Sequence, residues 1–317
     1  MSNAQINNLG NESDASKAKV EYYLALFYCL VVGVIFAYHF FAAKEVMQTI
    51  GPLPLSAVRG IVGGLCLLIA FKSKWSFFNK EMFEKIFIVS FLGFFINQVF
   101  FMVGLTKTEA INAAIINNTI PIFTALMAIV FGLELFNFRK ITGITIGFAL
   151  VIYLAIAKKG GGVGSINLGD IYIFINVISL SLSFIYVKKV INKETPHELL
   201  SGGMILLGGV MISFLCLSEV PAAFMYTFNS PRTMWLMFFE VILSTAVVYW
   251  LNFKALQVLD SSIMTVFIFL QPILTAGFEY FLLDKSPSMT NVIIFMGIIL
   301  SGYLVIKQPK KLVTAPE

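Results

Sequence analysis

The stretch Asn117-Asn118-Thr119-Ile120-Pro121-Ile122-Phe123-Thr124-Ala125 interrupts an apolar run with two adjacent amides and a proline. Proline lacks the N–H that an inner helical turn needs and frees the carbonyl four residues earlier. A helix in hydrocarbon cannot leave that carbonyl bare, whereas one facing a wet cavity or another helix can. The phrase returns 151 residues later as Phe269-Leu270-Gln271-Pro272-Ile273-Leu274-Thr275-Ala276. Its surroundings repeat as well. Leu105 matches Leu256 and, after a one-residue slip, Phe131, Leu133, Gly147 and Tyr153 match Phe281, Leu283, Gly297 and Tyr303.

The rest of the composition agrees with a lipid solvent. The chain is 58% hydrophobic and 12% charged, against about 25% charged in an ordinary soluble domain. Ten segments have the roughly 17–25 apolar residues that a spanning helix needs. They are residues 22–43, 53–71, 86–105, 110–133, 140–157, 168–187, 199–218, 234–253, 262–283 and 290–306. The expected architecture is an all-α integral membrane protein with a five-helix repeat at 22–157, a linker at 158–167 and a second repeat at 168–306. Residues 1–21 and 307–317 are expected as tails. Five spans per half is an odd number, so the second repeat enters from the opposite side. Inverted repeats of this kind suit a central site opened alternately to either face.

Orientation follows from the 22 Lys and Arg, of which 15 fall on the side of the N-terminus, six on the other, and Arg59 inside a span. The positive-inside rule places both termini in the cytoplasm. The polar first 21 residues lack an apolar stretch and a small-residue cleavage site, so they read as a cytosolic tail and not a signal peptide. The basic residues are scattered through short loops, which points to a membrane and not to nucleic acid. Cys29, Cys66 and Cys216 sit in apolar segments without ligand spacing and read as small buried hydrophobes. No P-loop, zinc-protease or paired-cysteine motif is present, so neither a cofactor nor a metal is expected.

These features resemble the EamA-type drug/metabolite transporter superfamily, which has two five-helix halves. Its first helix carries Trp-Gly-x-x-Phe followed by Lys. Here Phe36-Ala37-Tyr38-His39-Phe40 and Lys44 keep the spacing but replace the Trp and Gly. Pro52 and Arg59 match the start of its second helix. Pro121 with Gly132-Leu133-Glu134, and Pro272 with Leu282-Leu283-Asp284, match its fourth and ninth. The resemblance implies a secondary transporter, with helices one, three, four, six, eight and nine around the pathway.

The expected solute contacts are the polar and aromatic residues on those helices. Helical spacing groups Asn117, Pro121 and Thr124, with Asn118 beside them, and likewise Pro272, Thr275 and Glu279. Helix three adds Asn97 and Gln98, and helix one Tyr38 and His39. Helix eight adds Thr245, Tyr249 and Asn252 on one face, with Trp250 adjacent. Each also has a plainer reading as interhelical packing, since such bonds average only about 0.6 kcal/mol. Amides, hydroxyls and rings suit a small zwitterionic or amphipathic solute, with amino acids or related compounds favoured and export the expected direction. A carrier of nucleotide- or lipid-linked solutes is the alternative, although only Arg59 would supply the basic cavity it needs. An intramembrane enzyme lacks convergent acids, bases or ligands.

Ionisable groups within the spans are His39, Arg59, Glu240 and Glu279. Such groups face protein or water because a charge at the bilayer centre costs about 2.5–3.5 kcal/mol. Arg59 is expected to pair with Glu240 or Glu279 as a gate, with snorkelling to the interface as the alternative. His39 is the one intramembrane group that ordinarily titrates near neutrality, so coupled protons are the candidate partner beside solute and bilayer. A bacterial cytoplasmic (inner) membrane is the expected location, with a monomer or a homodimer as the assembly.

Overall fold

The computed structural model describes residues 3–108, 113, 116–158, 167–271, 273–274, 277–278, 280 and 289–306. Pro272, Thr275, Glu279 and the glycine-rich linker expected at 158–167, apart from its two end residues, lie outside them. The described chain is helical throughout: α1 (Asn3–Ile50), α2 (Pro52–Ala70), α3 (Lys80–Leu105), α4 (Ile120–Val130), α5 (Phe138–Lys158), α6 (Leu168–Val190), α7 (His197–Ser213), α8 (Pro231–Leu256), α9 (Ser261–Leu270) and α10 (Met289–Ile306). Five candidate membrane spans are long and apolar enough to cross a bilayer: Ser16–Ile50 within α1, then α2, α3, α6 and α8. The others include shorter apolar helices such as α4, α7 and α9. Phe27, Ile69, Leu126 and Val130 are exposed on the outside of this bundle, which is where lipid replaces water as the solvent.

Local chemistry sets the helix ends. Asn79 accepts from the Met82 amide to start α3, Asn167 and Asp170 form a reciprocal capping box at α6, and Ser230 and Thr233 do so at α8. These caps satisfy amides that an opening turn leaves without partners. Gly51, at φ 78°, turns the chain between α1 and α2. Gly132, at φ 70°, ends α4, a conformation that a side chain disfavours.

The most extensive helix pair is α2 with α7, followed by α3 with α6. Glycines make the first possible. A Cβ on Gly60 would lie 2.5 Å from the Cα of Gly209, and one on Gly64 2.5 Å from the backbone nitrogen of Leu206. Gly208 is covered by Phe94 and Gly203 by Ile86. The small-residue face of α7 is therefore spent inside the fold. Cys29 and Cys216 are buried, but Cys66 is exposed, a correction to its reading as a buried hydrophobe. It lies between Leu65 and Leu67, and Leu65 is exposed beside it.

Two helices depart from the α-helical period. α3 passes through a π-helical segment at Phe91–Ile96 and α8 through one at Phe239–Val247. The sequence repeat superposes residue 91 on 242, so the two segments occupy corresponding positions. Single-turn π segments often mark functional sites, and here Gln98 and Tyr249 follow them in the two halves.

Candidate functional site

A cavity between α1, α3, α4, α6, α8 and α9 is walled by apolar and amide side chains. Its amides are Asn97, Gln98, Asn117, Asn176, Asn252 and Gln271, and its rings include Phe36, Phe101, Phe184 and Phe267. His39, Tyr249 and Thr265 also line it. Counting the solvent at its open side, the space is about 880 Å³.

The amides are wired together. Gln98 Nε2 donates to Asn97 Oδ1 at 2.9 Å and to the Tyr249 hydroxyl at 3.4 Å. Asn97 Nδ2 donates to Asn176, and Asn176 Nδ2 donates to Asn117 Oδ1 at 3.2 Å. The chain of bonds runs from α8 through α3 and α6 to the start of α4. It holds each amide in one orientation and leaves Gln98 Oε1 buried without a hydrogen-bond partner among the described residues. A buried acceptor in that condition costs about 1–3 kcal/mol until a donor reaches it.

The opening stretch now has a structural meaning. Asn118 and Thr119 form a turn, and α4 begins at Ile120 with Pro121 in its first turn. Proline is well accommodated there, because the first amides of a helix have no intrahelical acceptor. The break releases Asn117 from the register of Pro121 and Thr124. Asn117 lines the cavity, whereas Pro121 is buried and Thr124 donates to Ser181 Oγ on α6 at 3.2 Å. The shared helical face expected for these three is thus corrected.

Four other expected contacts lie away from the described lining. Tyr38 packs edge-on against Phe239 with ring centroids 4.7 Å apart, and Asn118 is buried within the turn. Trp250 faces His197, Phe71 and Lys254. Thr245 bonds Arg59. Its expected face with Tyr249 and Asn252 assumed 3.6 residues per turn, and the wider π turn ending at Val247 breaks that phase. Asn176 is absent from the expected contacts, although an amide inside an apolar run is itself a signal. Phe36, Phe101, Phe184 and Thr265 look like packing residues until the helices converge.

Beside the cavity lies a buried ionic cluster. His39 Nδ1 is 2.9 Å from both carboxylate oxygens of Glu240, and Arg59 Nε is 3.4 Å from Glu240 Oε2. The π segment builds this arrangement. Thr245 Oγ1 donates to the Glu240 carbonyl at 2.7 Å, and Ser244 Oγ lies 3.0 Å from the same carbonyl. Those hydroxyls in turn receive Arg59, from Nε at 2.8 Å and from Nη2 at 3.3 Å. Arg59 is 1% exposed and Glu240 0%, so neither reaches an interface in this conformation. Among the described residues Arg59 Nη1 has no hydrogen-bond partner.

At one end of the bundle, Glu134, just after α4, meets the first turn of α9. Its Oε1 accepts from the backbone amide of Ser262 at 3.1 Å and its Oε2 from Lys140 Nζ at 2.9 Å. Ser262 Oγ also donates to it, and Lys140 Nζ lies 3.2 Å from Asp260. Among the described residues no three His, Cys, Asp or Glu side chains group as metal ligands.

Known proteins resemble this chain in sequence and in fold. The model of the EamA-like transporter family matches residues 23–156 and again 167–307. An uncharacterized transporter of Archaeoglobus fulgidus is 25% identical over 269 residues, covering 82% of this chain and 89% of that protein. An S-adenosylmethionine/S-adenosylhomocysteine transporter of Chlamydia muridarum is 22% identical over 297 residues, covering 86% and 89%. One crystal structure superposes with a TM-score of 0.75 over 89% of this chain and 96% of its own, at 14% identity, which shows a common fold. Two family matches in tandem, apolar spanning helices and transporter relatives lead to one conclusion: the chain is an integral membrane transporter, not an enzyme, and belongs to the EamA-like transporter family.

Proposed function

We propose that this transporter moves a small zwitterionic, amino-acid-like metabolite by alternating access, with the amide-lined cavity as its binding site. The observation that carries the reading is the bonded chain of amides that includes Gln98, whose Oε1 has no partner among the described residues. Amides supply donors and acceptors together, so they bind a zwitterion or a heterocycle without a fixed ion pair. No Lys or Arg occurs among the described lining residues, and Arg59 is engaged by Glu240, Ser244 and Thr245. That disfavours the alternative of a nucleotide- or lipid-linked solute, whose phosphates need cationic partners. The name of the Chlamydia muridarum relative points to the same class. S-adenosylhomocysteine joins an α-amino acid to an adenine, which amides and aromatic rings suit.

The ten spans, their inverted five-helix halves and the cytoplasmic termini belong to this reading, supported by the repeat and by the 15-to-6 division of basic residues. Flux of radiolabelled methionine and S-adenosylhomocysteine into proteoliposomes tests it. Gln98→Met and Asn117→Leu are expected to weaken apparent affinity about two- to tenfold each, the equivalent of losing one hydrogen bond. Thermal stability in detergent is expected to stay near that of the parent. Lowered stability with unchanged affinity would assign the amides to packing instead.

A further inference from the structure

The amides of the cavity wall fall into two groups. Asn97, Gln98, Asn117 and Asn176 bond one another and hold a fixed pattern. Asn252 of α8 and Gln271 of α9 line the same cavity but make no side-chain hydrogen bond among the described residues. Asn252 is the more informative of the two, because only 8% of it is exposed. Polar atoms of a side chain buried that deeply ordinarily have partners. Here the amide oxygen and nitrogen have none among the described residues, yet neither is sealed from solvent. A donor and an acceptor, fixed in one plane, therefore open onto the cavity together.

The rings divide in the same way. Phe36 packs edge-on against His39 with centroids 5.6 Å apart. Phe101 of α3 and Phe267 of α9 are partly exposed in the cavity wall and have no aromatic neighbour among the described residues.

The chemistry of the unbonded amide narrows what it can recognise. A carboxylate only accepts hydrogen bonds and an ammonium only donates them, so either would use half of the Asn252 amide. Adenine uses both halves. Its N6 amino group donates while the neighbouring ring nitrogen, N1 or N7, accepts, and Asn and Gln side chains pair with adenine in this bidentate manner. Proteins that hold a single unstacked base combine such edge bonds with aromatic rings against its faces.

We propose that Asn252 is a specificity-determining contact of this transporter, and that its amide pairs with the donor–acceptor edge of an adenine packed against Phe101 and Phe267. The inference rests on the solute class proposed above and narrows it to an adenine-bearing member, with the bonded amides left to the amino-acid end.

Two measurements test it: competition against flux of radiolabelled S-adenosylhomocysteine in proteoliposomes, and competition against radiolabelled adenosine bound to the purified transporter in detergent. Adenosine is expected to compete in both. Purine riboside, which lacks only the N6 amino group, is expected to compete about fivefold or more weakly, as loss of a paired edge implies. Asn252→Leu removes the partner of that group. Adenosine is then expected to weaken until the two compounds compete within about twofold of each other, the non-additivity of two changes at one contact. A packing role for Asn252 would instead lower thermal stability and leave their ratio unchanged.

Equal competition by adenosine and purine riboside overturns the proposal, and that comparison needs no variant to fold. An unchanged ratio in Asn252→Leu overturns it too, as does a ratio lost in Gln271→Leu but kept in Asn252→Leu. Asn252→Ala takes the place of a leucine variant that does not fold. Transport of methionine without competition by adenosine or S-adenosylhomocysteine overturns the adenine contact and leaves the proposed solute class standing. Binding of adenosine that methionine does not affect supports the contact and rejects the amino-acid end of that class. A transporter that neither moves nor binds any of these compounds overturns both.

Discussion

Glu134 and Glu240 are both buried carboxylates, yet their surroundings differ in kind. Glu134 is saturated: a lysine, a backbone amide and a hydroxyl hold its two oxygens. It acts as a cap supplied from the segment after α4, since Asp260, the N-cap residue of α9, makes no side-chain cap bond itself. The positive end of the α9 dipole adds to the attraction. Glu240 is bound by a histidine and by an arginine at the longer distance of 3.4 Å, one of whose nitrogens has no hydrogen-bond partner among the described residues. A fully bonded carboxylate fixes two segments together. In the second cluster both oxygens of Glu240 are engaged, and the group with a donor left over among the described residues is Arg59.

Lys140→Met breaks the first arrangement and carries the largest expected effect. It leaves Glu134 and Asp260 without the cation between them, and removal of one partner from a buried pair costs about 3–5 kcal/mol. Thermal unfolding in detergent is expected to show a large fall in Tm. A fall no greater than that of an exposed control such as Lys193→Met would show that the Glu134 cluster holds nothing together.

Arg59→Met probes the second arrangement. Glu240 keeps His39 and Ser244 as partners, so the expected loss is smaller, about 1–3 kcal/mol. Here the sharper readout is coupling. A double-mutant cycle of Arg59→Met with Glu240→Gln is expected to give a non-additive stability, and additive losses would mean that the 3.4 Å approach carries no interaction.

Thr124→Val is the smallest of the set. Its hydroxyl donates to Ser181 inside the packing between α4 and α6, so about 1 kcal/mol of stability is expected to go. Apparent affinity is expected to stay constant, and a weakened affinity would return Thr124 to the cavity face from which the turn at Asn118 and Thr119 removed it.

Much of this was legible before any coordinates. Asn97, Gln98 and Tyr249 stood out because amides and a phenol are rare inside apolar runs, and all three line the cavity. Arg59 and Glu240 stood out for the same reason and lie within ion-pair distance. What periodicity misassigned were the side chains near a break in the period, namely Pro121 and Thr124 after the turn and Thr245 within the π segment. A one-residue insertion into a helical turn is invisible to a pattern that assumes a constant rotation per residue.

The sequence by itself determined the solvent, the helical class and the family, because these rest on composition, segment length and motifs that are local in the chain. It also determined which residues are too polar to face lipid. Tertiary structure alone decided the company those residues keep. Asn176 joins Asn97 and Asn117 only because α6 packs against α3 and α4. His39 meets Glu240 across 201 residues only because the π segment of α8 turns the carboxylate toward α1. Hydrogen bonds act over about 3 Å, and that proximity is set by helix packing and phase, which no single segment encodes.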